Sequence, residues 1–172
     1  PFVCELILKL FMPKGGKSVY NPFGGGVQMG FVSGFYGMEY LATEIRKNQC
    51  DSNNAICKAK NMDGVEWKLA DSSSYYDAEK KFDLIFTCPP YYGVETYKDY
   101  DGKQLANDAN ASDSYEAFRD MLFKGYENAI KMLNDNCFFA IMVGDSRDPK
   151  NGGYYCMEAE TEVFLKRQGL QV

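Results

Sequence analysis

Apolar positions along this chain keep two rhythms, and the alternation between them predicts its architecture. Along CELILKLFM (4–12) they recur at helix-compatible intervals until Pro13 and Gly15-Gly16 interrupt them, which predicts a helix ending there. Short runs rich in β-branched and aromatic residues predict strands at KSVYN (17–21), EYLATEI (39–45), VEWKLAD (65–71) and KFDLIFTC (81–88). Between the second and third lies RKNQCDSNNAICKAK (46–60), a polar-faced helix. Asp113 and Glu116 have the spacing of a capping box, and Phe118, Met121, Leu122, Ala129, Ile130 and Leu133 follow at near-helical intervals. CFFAIMVG (137–144) is a continuous apolar run, expected of a strand buried on both faces. GLQV (169–172) reads as a further strand beginning, so the segment is expected to be an excerpt of a longer chain.

Strands alternating with helices predict a doubly wound, mostly parallel α/β sheet. Gly93 to Ser112 is the longest stretch without a pattern, and its length suits an active-site lid or a disordered flap. Trp67 and the phenylalanine-rich strands are expected in the core.

With 172 residues, 45% of them hydrophobic, the chain has the size of one domain that folds without covalent staples. Its six cysteines show no C-x-x-C spacing, and neither a secretory signal nor a bilayer-length apolar run is visible. Reduced thiols and a cytoplasmic location are expected. The absence of histidine excludes Ser-His-Asp and Cys-His catalysis, H-E-x-x-H zinc chemistry and His-ligated deaminase sites. A net charge of −5 argues against holding nucleic acid by a broad basic face, so any grip on DNA is local or supplied elsewhere.

Two glycine motifs are decoys. GGKS (15–18) lacks the first glycine of a phosphate-binding loop, since position 11 is Phe11, and it precedes a strand instead of following one. A dinucleotide fingerprint begun at Gly24 would need glycine where Met29 stands. What remains is a strand end, YNPFGGG, whose glycines allow close backbone approach to a ligand, and Glu44, 18 residues beyond Gly26 at the end of the next strand. A carboxylate there can accept both hydroxyls of a ribose, beyond the carboxyl ends of the strands. The plainer reading makes the glycines a tight turn and Glu44 a solvated carboxylate.

DLIFTCPPYY (83–92) poses a separate problem. One proline suffices to end a strand, and neither a second proline nor an aromatic pair is then needed. At this point the sequence resembles the S-adenosylmethionine-dependent DNA methyltransferases that modify an exocyclic amine, adenine N6 or cytosine N4. The family pattern D-P-F-x-G-x-G is similar to NPFGGG (21–26), G-x-x-Y-x-G-x-E to GMEYLATE (37–44), and [DNS]-P-P-[YFW] to CPPY (88–91). VGDSRD (143–148) resembles phage-encoded members, and the likeness covers nearly the whole chain. Asn21 stands where the pattern has aspartate, Ala42 where it has glycine, and Cys88 where it has aspartate, asparagine or serine.

The resemblance implies a Rossmann-like methyltransferase fold of seven strands, with the last hairpin mostly past Val172. It also implies S-adenosylmethionine as cofactor, DNA with a flipped-out base as partner, a target-recognition region outside this segment, and a restriction-modification setting in a bacterial or phage-infected cell. On the family pattern Asn21, Pro22, Phe23, Gly24 and Gly26 would line the methionine part of the cofactor, Glu44 would hold the ribose, and Asp71 with Ser72 would face the adenine. Thr87, Cys88, Pro89, Pro90 and Tyr91 would carry the target amine. An exocyclic amine is a poor nucleophile because its lone pair is delocalised into the ring, so acceptors placed on its N–H groups favour the localised form in the transition state. The Pro89 carbonyl is one such acceptor and Tyr91 a stacking face for the base. Cys88 is closest in shape to serine, which points toward cytosine, although a thiol is a weak acceptor that Thr87 could replace. Asp71 and Ser72 suit a turn or helix cap equally well. Asp145, Arg147 and Asp148 suit either a local ion pair or a contact to substrate. Two other readings stay open: methyl transfer to an RNA base or a protein amide, and a non-catalytic module of the same fold.

Overall fold

The structure is a computed structural model that describes residues 1–98, 102–105, 107–148 and 152–172. The chain runs α1 (Phe2–Phe11), β1 (Ser18–Asn21), α2 (Gln28–Phe35), β2 (Glu39–Glu44), α3 (Lys47–Lys58), β3 (Val65–Leu69) and β4 (Phe82–Thr87). A 3-10 turn (Ala109–Ala111), α4 (Tyr115–Lys131), β5 (Leu133–Ile141), β6 (Ser146–Arg147), β7 (Tyr154–Tyr155) and α5 (Met157–Arg167) follow. The first five strands form one sheet of order β3-β2-β1-β4-β5, parallel at every pairing, while β6 and β7 make a separate antiparallel pair. The chain winds outward from β1 through β3, then returns to β4 and winds the other way. The reversal sits between β1 and β4, where crossovers leave in opposite directions and a crevice opens above the strand ends.

Period-two alternation sends neighbouring side chains to opposite faces, each covered by helix. Val19, Tyr40, Ala42, Trp67, Leu84 and Phe86 pack with residues of α1, α2 and α3 on one face. Tyr20, Leu41 and Ile85 pack with Ala129 and Met132 at the end of α4 on the other. Val19, Tyr20, Leu84 and Ile85 are fully buried, and each such side chain contributes about 1.5–3 kcal/mol over its exposed state. The expected core role of Trp67 holds, and all six cysteines are free thiols.

At the amino ends of the central strands one carboxylate fixes the register. Asp83 accepts from the Lys17 and Ser18 amides at 2.9 and 3.2 Å, from Ser18 Oγ at 2.9 Å and from Asn134 Nδ2 at 2.9 Å. It thereby joins the starts of β1, β4 and β5.

Several elements differ from expectation. The α2 and α5 helices carry no clear signal in the sequence. The N-cap of α4 is Ser114, whose side chain accepts from the Ala117 amide at 3.2 Å; Asp113 and Glu116 therefore do not form the capping box, since Ala117 occupies the third helical position. β5 begins at Leu133, before the apolar run, and an irregularity lets Leu133 pair with Phe82 and Phe138 with Leu84. It is the edge strand of this sheet, so it is only partly covered, and Phe138 is 50% exposed where burial on both faces was expected. No strand forms at 169–172, and the sheet has five strands among the described residues where seven were implied. The 93–112 stretch holds the 3-10 turn and a Lys98–Gln104 bridge; 99–101 and 106 lie outside the described residues.

Burial raises the Asp83 carboxyl, but the donors from Lys17, Asn134 and Ser18 outweigh it and hold the group below its ordinary value. Its stabilisation is therefore complete above the unfolded carboxylate pKa of about 4 and is lost as pH falls through the lower folded value. Asp83→Ala should cost about 2–3 kcal/mol in urea unfolding at pH 7. The gap between wild type and variant should close on acidification below about pH 4.

Candidate active site

Four strand ends converge on a cavity of about 340 Å³, within the size range of small-ligand pockets. Pro22 to Gly26 after β1, Glu44 to Arg46 at the end of β2, Ala70 to Ser73 after β3 and Cys88 to Pro90 after β4 line it. Met121 and Leu122 of α4 and four residues of the 93–112 stretch, Glu95, Tyr97, Asn107 and Ala109, complete the wall. Of the residues expected at a site, Pro22, Phe23, Gly24, Gly26, Glu44, Asp71, Ser72, Cys88, Pro89 and Pro90 meet there, whereas Asn21, Thr87 and Tyr91 do not line it.

Asn21 instead shapes the loop from beneath. It is buried, its Oδ1 accepts from the Phe23 amide at 3.1 Å, and its Nδ2 donates to the Tyr40 hydroxyl at 3.2 Å. The neutral amide thus performs a turn-forming role that needs no charge. Gly24 donates to the Thr43 carbonyl at 2.8 Å. A Cβ on Gly24 would stand 2.8 Å from Ala42 Cβ and 3.0 Å from Trp67 Cδ1, so its glycine is needed to seat the loop against β2. Gly25 has φ +51, a left-handed value that suits glycine, and its carbonyl accepts from Asn53 Nδ2 at 2.9 Å.

Glu44 is 7% exposed and ion-paired within its own loop. Its Oε1 accepts from the Arg46 amide at 2.9 Å and from Arg46 Nε at 3.0 Å, and its Oε2 from Arg46 Nη2 at 3.2 Å. A solvated carboxylate, the plainer reading, is excluded by that burial. Asp71 holds the turn after β3 by accepting from the Ser73 amide at 2.8 Å. Ser72 is buried and its carbonyl accepts from Asn128 Nδ2 at 3.1 Å.

After β4, Pro89 and Pro90 are buried while Cys88 presents its side chain to the open cavity. Although solvent reaches it, the surrounding walls desolvate the thiol and the Glu95 carboxylate adds to that effect, raising its pKa above the ordinary thiol value. Cys88 is accordingly a neutral thiol at pH 7, not a nucleophilic thiolate. Thr87 is fully buried, its hydroxyl has no hydrogen-bond partner among the described residues, and it does not line the cavity, so it does not replace Cys88 there. The Tyr91 hydroxyl interacts with the Gly144 backbone and with Cys88. Tyr92, its neighbour, packs against Tyr115, Phe118 and Tyr155 with ring centroids 5.0–5.5 Å apart. The second tyrosine thus anchors the diproline corner to α4 and β7.

Asp145, in the loop between β5 and β6, accepts from the Glu158 amide at 3.2 Å near the start of α5. This is a local structural contact, and Arg147 lies in β6 opposite Tyr154.

The profile of the Eco57I restriction-modification methylase family matches residues 8–148, most of the chain. The chain belongs to that family. No curated protein sequence matches this methylase-family chain. Its fold is shared with solved structures at low identity. An O-methyltransferase from a Brevibacillus brevis multienzyme, in complex with S-adenosyl-L-homocysteine, has a TM-score of 0.61 at 14% identity over 96% of this chain and 50% of that one. A TehB-like SAM-dependent methyltransferase from Corynebacterium glutamicum scores 0.58 at 18% identity over 95% and 70%. The [4+2]-cyclase SpnF scores 0.66 at 9% identity over 96% and 56%. The methylase-family chain therefore spans about half the length of several structures it matches. These likenesses establish the Rossmann-like methyltransferase architecture.

The loops of this methylase-family chain are also held in place by residues outside every motif. Asn128 donates to both the Ser72 and Ser73 carbonyls, at 3.1 and 3.0 Å, and Asn53 holds Gly25. Each is a buried amide on the packed side of a helix, which is the signal that could have marked it. Gly125 was a second signal, a glycine inside a helix: a Cβ there would stand 2.9 Å from Phe23 Cζ and 3.3 Å from Ser72 Cβ. Asn128→Ala should leave two carbonyls without their donor and lower stability by about 1–3 kcal/mol, measured by urea unfolding.

Proposed function

We propose that this chain carries the S-adenosylmethionine site and the amine-binding corner of a DNA methyltransferase that modifies adenine N6 or cytosine N4. One observation carries the reading: the β1 loop, Glu44, the Asp71-Ser72 turn and the Cys88-Pro89-Pro90 corner meet around one cavity at the reversal point of the sheet.

The residues suit the cofactor. Glu44 is a buried carboxylate at a strand end, able to take the ribose hydroxyls. Asp71 and Ser72 lie one strand further out on the cavity wall, where an adenine can be met by polar atoms, with Met121 and Leu122 as apolar walls. Pro22 to Gly26 line the wall nearest the reversal point and would hold the methionine part. When bound, the cofactor supplies an electrophilic methyl on a sulfonium.

The rest of the chemistry belongs to the corner. Consecutive prolines restrict the backbone there and bring no N–H donors of their own, leaving the Pro89 carbonyl to accept from the target amine. Cys88, neutral and facing the cavity, offers sulfur as a weaker acceptor. Tyr91, beside Cys88 though outside the cavity wall, would offer its ring to an extruded base. Holding the amine in line with the methyl gives a large share of the rate gain through positioning. DNA grip beyond the corner lies outside this acidic segment.

Incubation of DNA with the protein and S-adenosylmethionine, then digestion and mass spectrometry of the nucleosides, should show N6-methyladenine or N4-methylcytosine. Neither product would favour a non-catalytic module. Calorimetric titration with S-adenosylhomocysteine should show binding that weakens at least about tenfold in Glu44→Ala, the loss expected for charge-assisted hydrogen bonds to both hydroxyls.

A further inference from the structure

The carboxylate assigned to the ribose already has a resident partner. Arg46 occupies Glu44 with three donors: its own amide and Nε on Oε1, and Nη2 on Oε2. A carboxylate offers about two acceptor positions per oxygen. Oε1 is therefore saturated and Oε2 retains one position. A vicinal diol gripped by both oxygens needs one position on each. The amide of Arg46 is fixed by the start of α3, so only the guanidinium can yield.

Arg46 is already backed by the Tyr97 ring, so it can turn from Glu44 without losing that contact. Its guanidinium carbon lies 4.7 Å from the centroid of the Tyr97 ring, a cation–π distance. The Tyr97 hydroxyl donates to Glu95, and Glu95, Tyr97, Glu44 and Arg46 all line the same cavity. A second carboxylate thus stands within the cation's surroundings, and its field already acts on Arg46. Tyr97 is itself held, because its amide donates to Asp108 Oδ2 at 3.0 Å and Asp108 is 1% exposed.

We propose that Arg46 is a gating residue of the nucleoside subsite: a ribose diol takes Glu44 only as the guanidinium gives it up and pivots on the Tyr97 ring toward Glu95. This inference rests on the reading of the cavity as a nucleoside site. Arg46 then sets affinity through the two hydroxyls alone, and ligands without them escape its competition.

The test is calorimetric titration of the wild type, Arg46→Met, Arg46→Lys and Glu44→Ala with S-adenosylhomocysteine, adenosine and 2′,3′-dideoxyadenosine. Circular dichroism would confirm that each variant is folded. Arg46→Met retains the aliphatic stem and the backbone donor but frees one position on each oxygen, so adenosine should bind about tenfold tighter, with dideoxyadenosine unchanged. Arg46→Lys, whose ammonium cannot fork across both oxygens, should fall between. Adenosine binding that is unchanged or weaker in Arg46→Met, or an equal gain for dideoxyadenosine, would overturn the gate while leaving the site reading intact. Absence of any binding to the wild type, to Glu44→Ala and to both Arg46 variants would overturn the site reading and the gate with it.

Discussion

Parallel strands all end at one edge, and a sheet that reverses its winding must open a crevice there. In this chain the reversal lies between β1 and β4. The loop after β1 and the corner after β4 are thereby forced to face one another across a gap that neither crossover fills. Everything assigned to the site follows from that constraint. A loop that stays thin because its glycines press against β2, and a corner kept stiff by two prolines, are two ways of leaving the gap open while fixing its walls.

The walls are held from behind by polar groups that touch no reacting atom. Asn21 closes the β1 loop on itself, Asn53 holds Gly25, and Asn128 holds the turn after β3. Asp108 gathers the Tyr97 and Asn110 amides, and Asn110 in turn takes the Gly93 amide and donates to the Tyr91 carbonyl. A continuous set of contacts therefore runs from Arg46, ion-paired to Glu44, through Tyr97, Asp108 and Asn110 to the diproline corner. Buried amides suit such work because an unpaired carbonyl costs about 1–3 kcal/mol, so each contact resists loss.

The strands and three of the helices, α1, α3 and α4, were legible because their periods are clear: VY and LIFT are short apolar or β-branched runs, and α4 repeats its apolar stripe for four turns. The α2 helix was not legible, because QMGFVSGF carries two glycines and no polar face. It exists because Gly30 lets the helix backbone sit on Trp67 and Tyr40, a tertiary gain that outweighs poor propensity. The cap of α4 was misplaced by one residue because Asp113 and Ser114 are both good caps and only the backbone decides between them. The convergence of the cavity wall was legible where a motif carried it, at Pro22 to Gly26, Glu44 and Cys88 to Pro90, while Asn21 and Tyr91 of the same motifs fall outside that wall. The site was illegible where the role depends on distant partners: nothing local in RKNQ distinguishes Arg46 from a solvated helix-start cation, and the Tyr97 ring that stacks on it comes from a stretch without periodicity.

Cys88 shows how the same constraint bears on chemistry. Desolvation, with Glu95 nearby, keeps the thiol protonated, and a neutral sulfur polarises an amine less than a carboxylate or amide oxygen would. The corner compensates by geometry. The Tyr91 hydroxyl sits against Cys88, Tyr92 is wedged among three rings of α4 and β7, and Asn110 holds the Tyr91 carbonyl. The Pro89 carbonyl therefore sits in a backbone with little conformational freedom, which suits the acceptor role proposed for it. Where acceptor strength is reduced, positioning supplies more of the selectivity for the transition state. A neutral Cys88 also adds no further anion to a wall that already carries Glu44, ion-paired to Arg46, and Glu95.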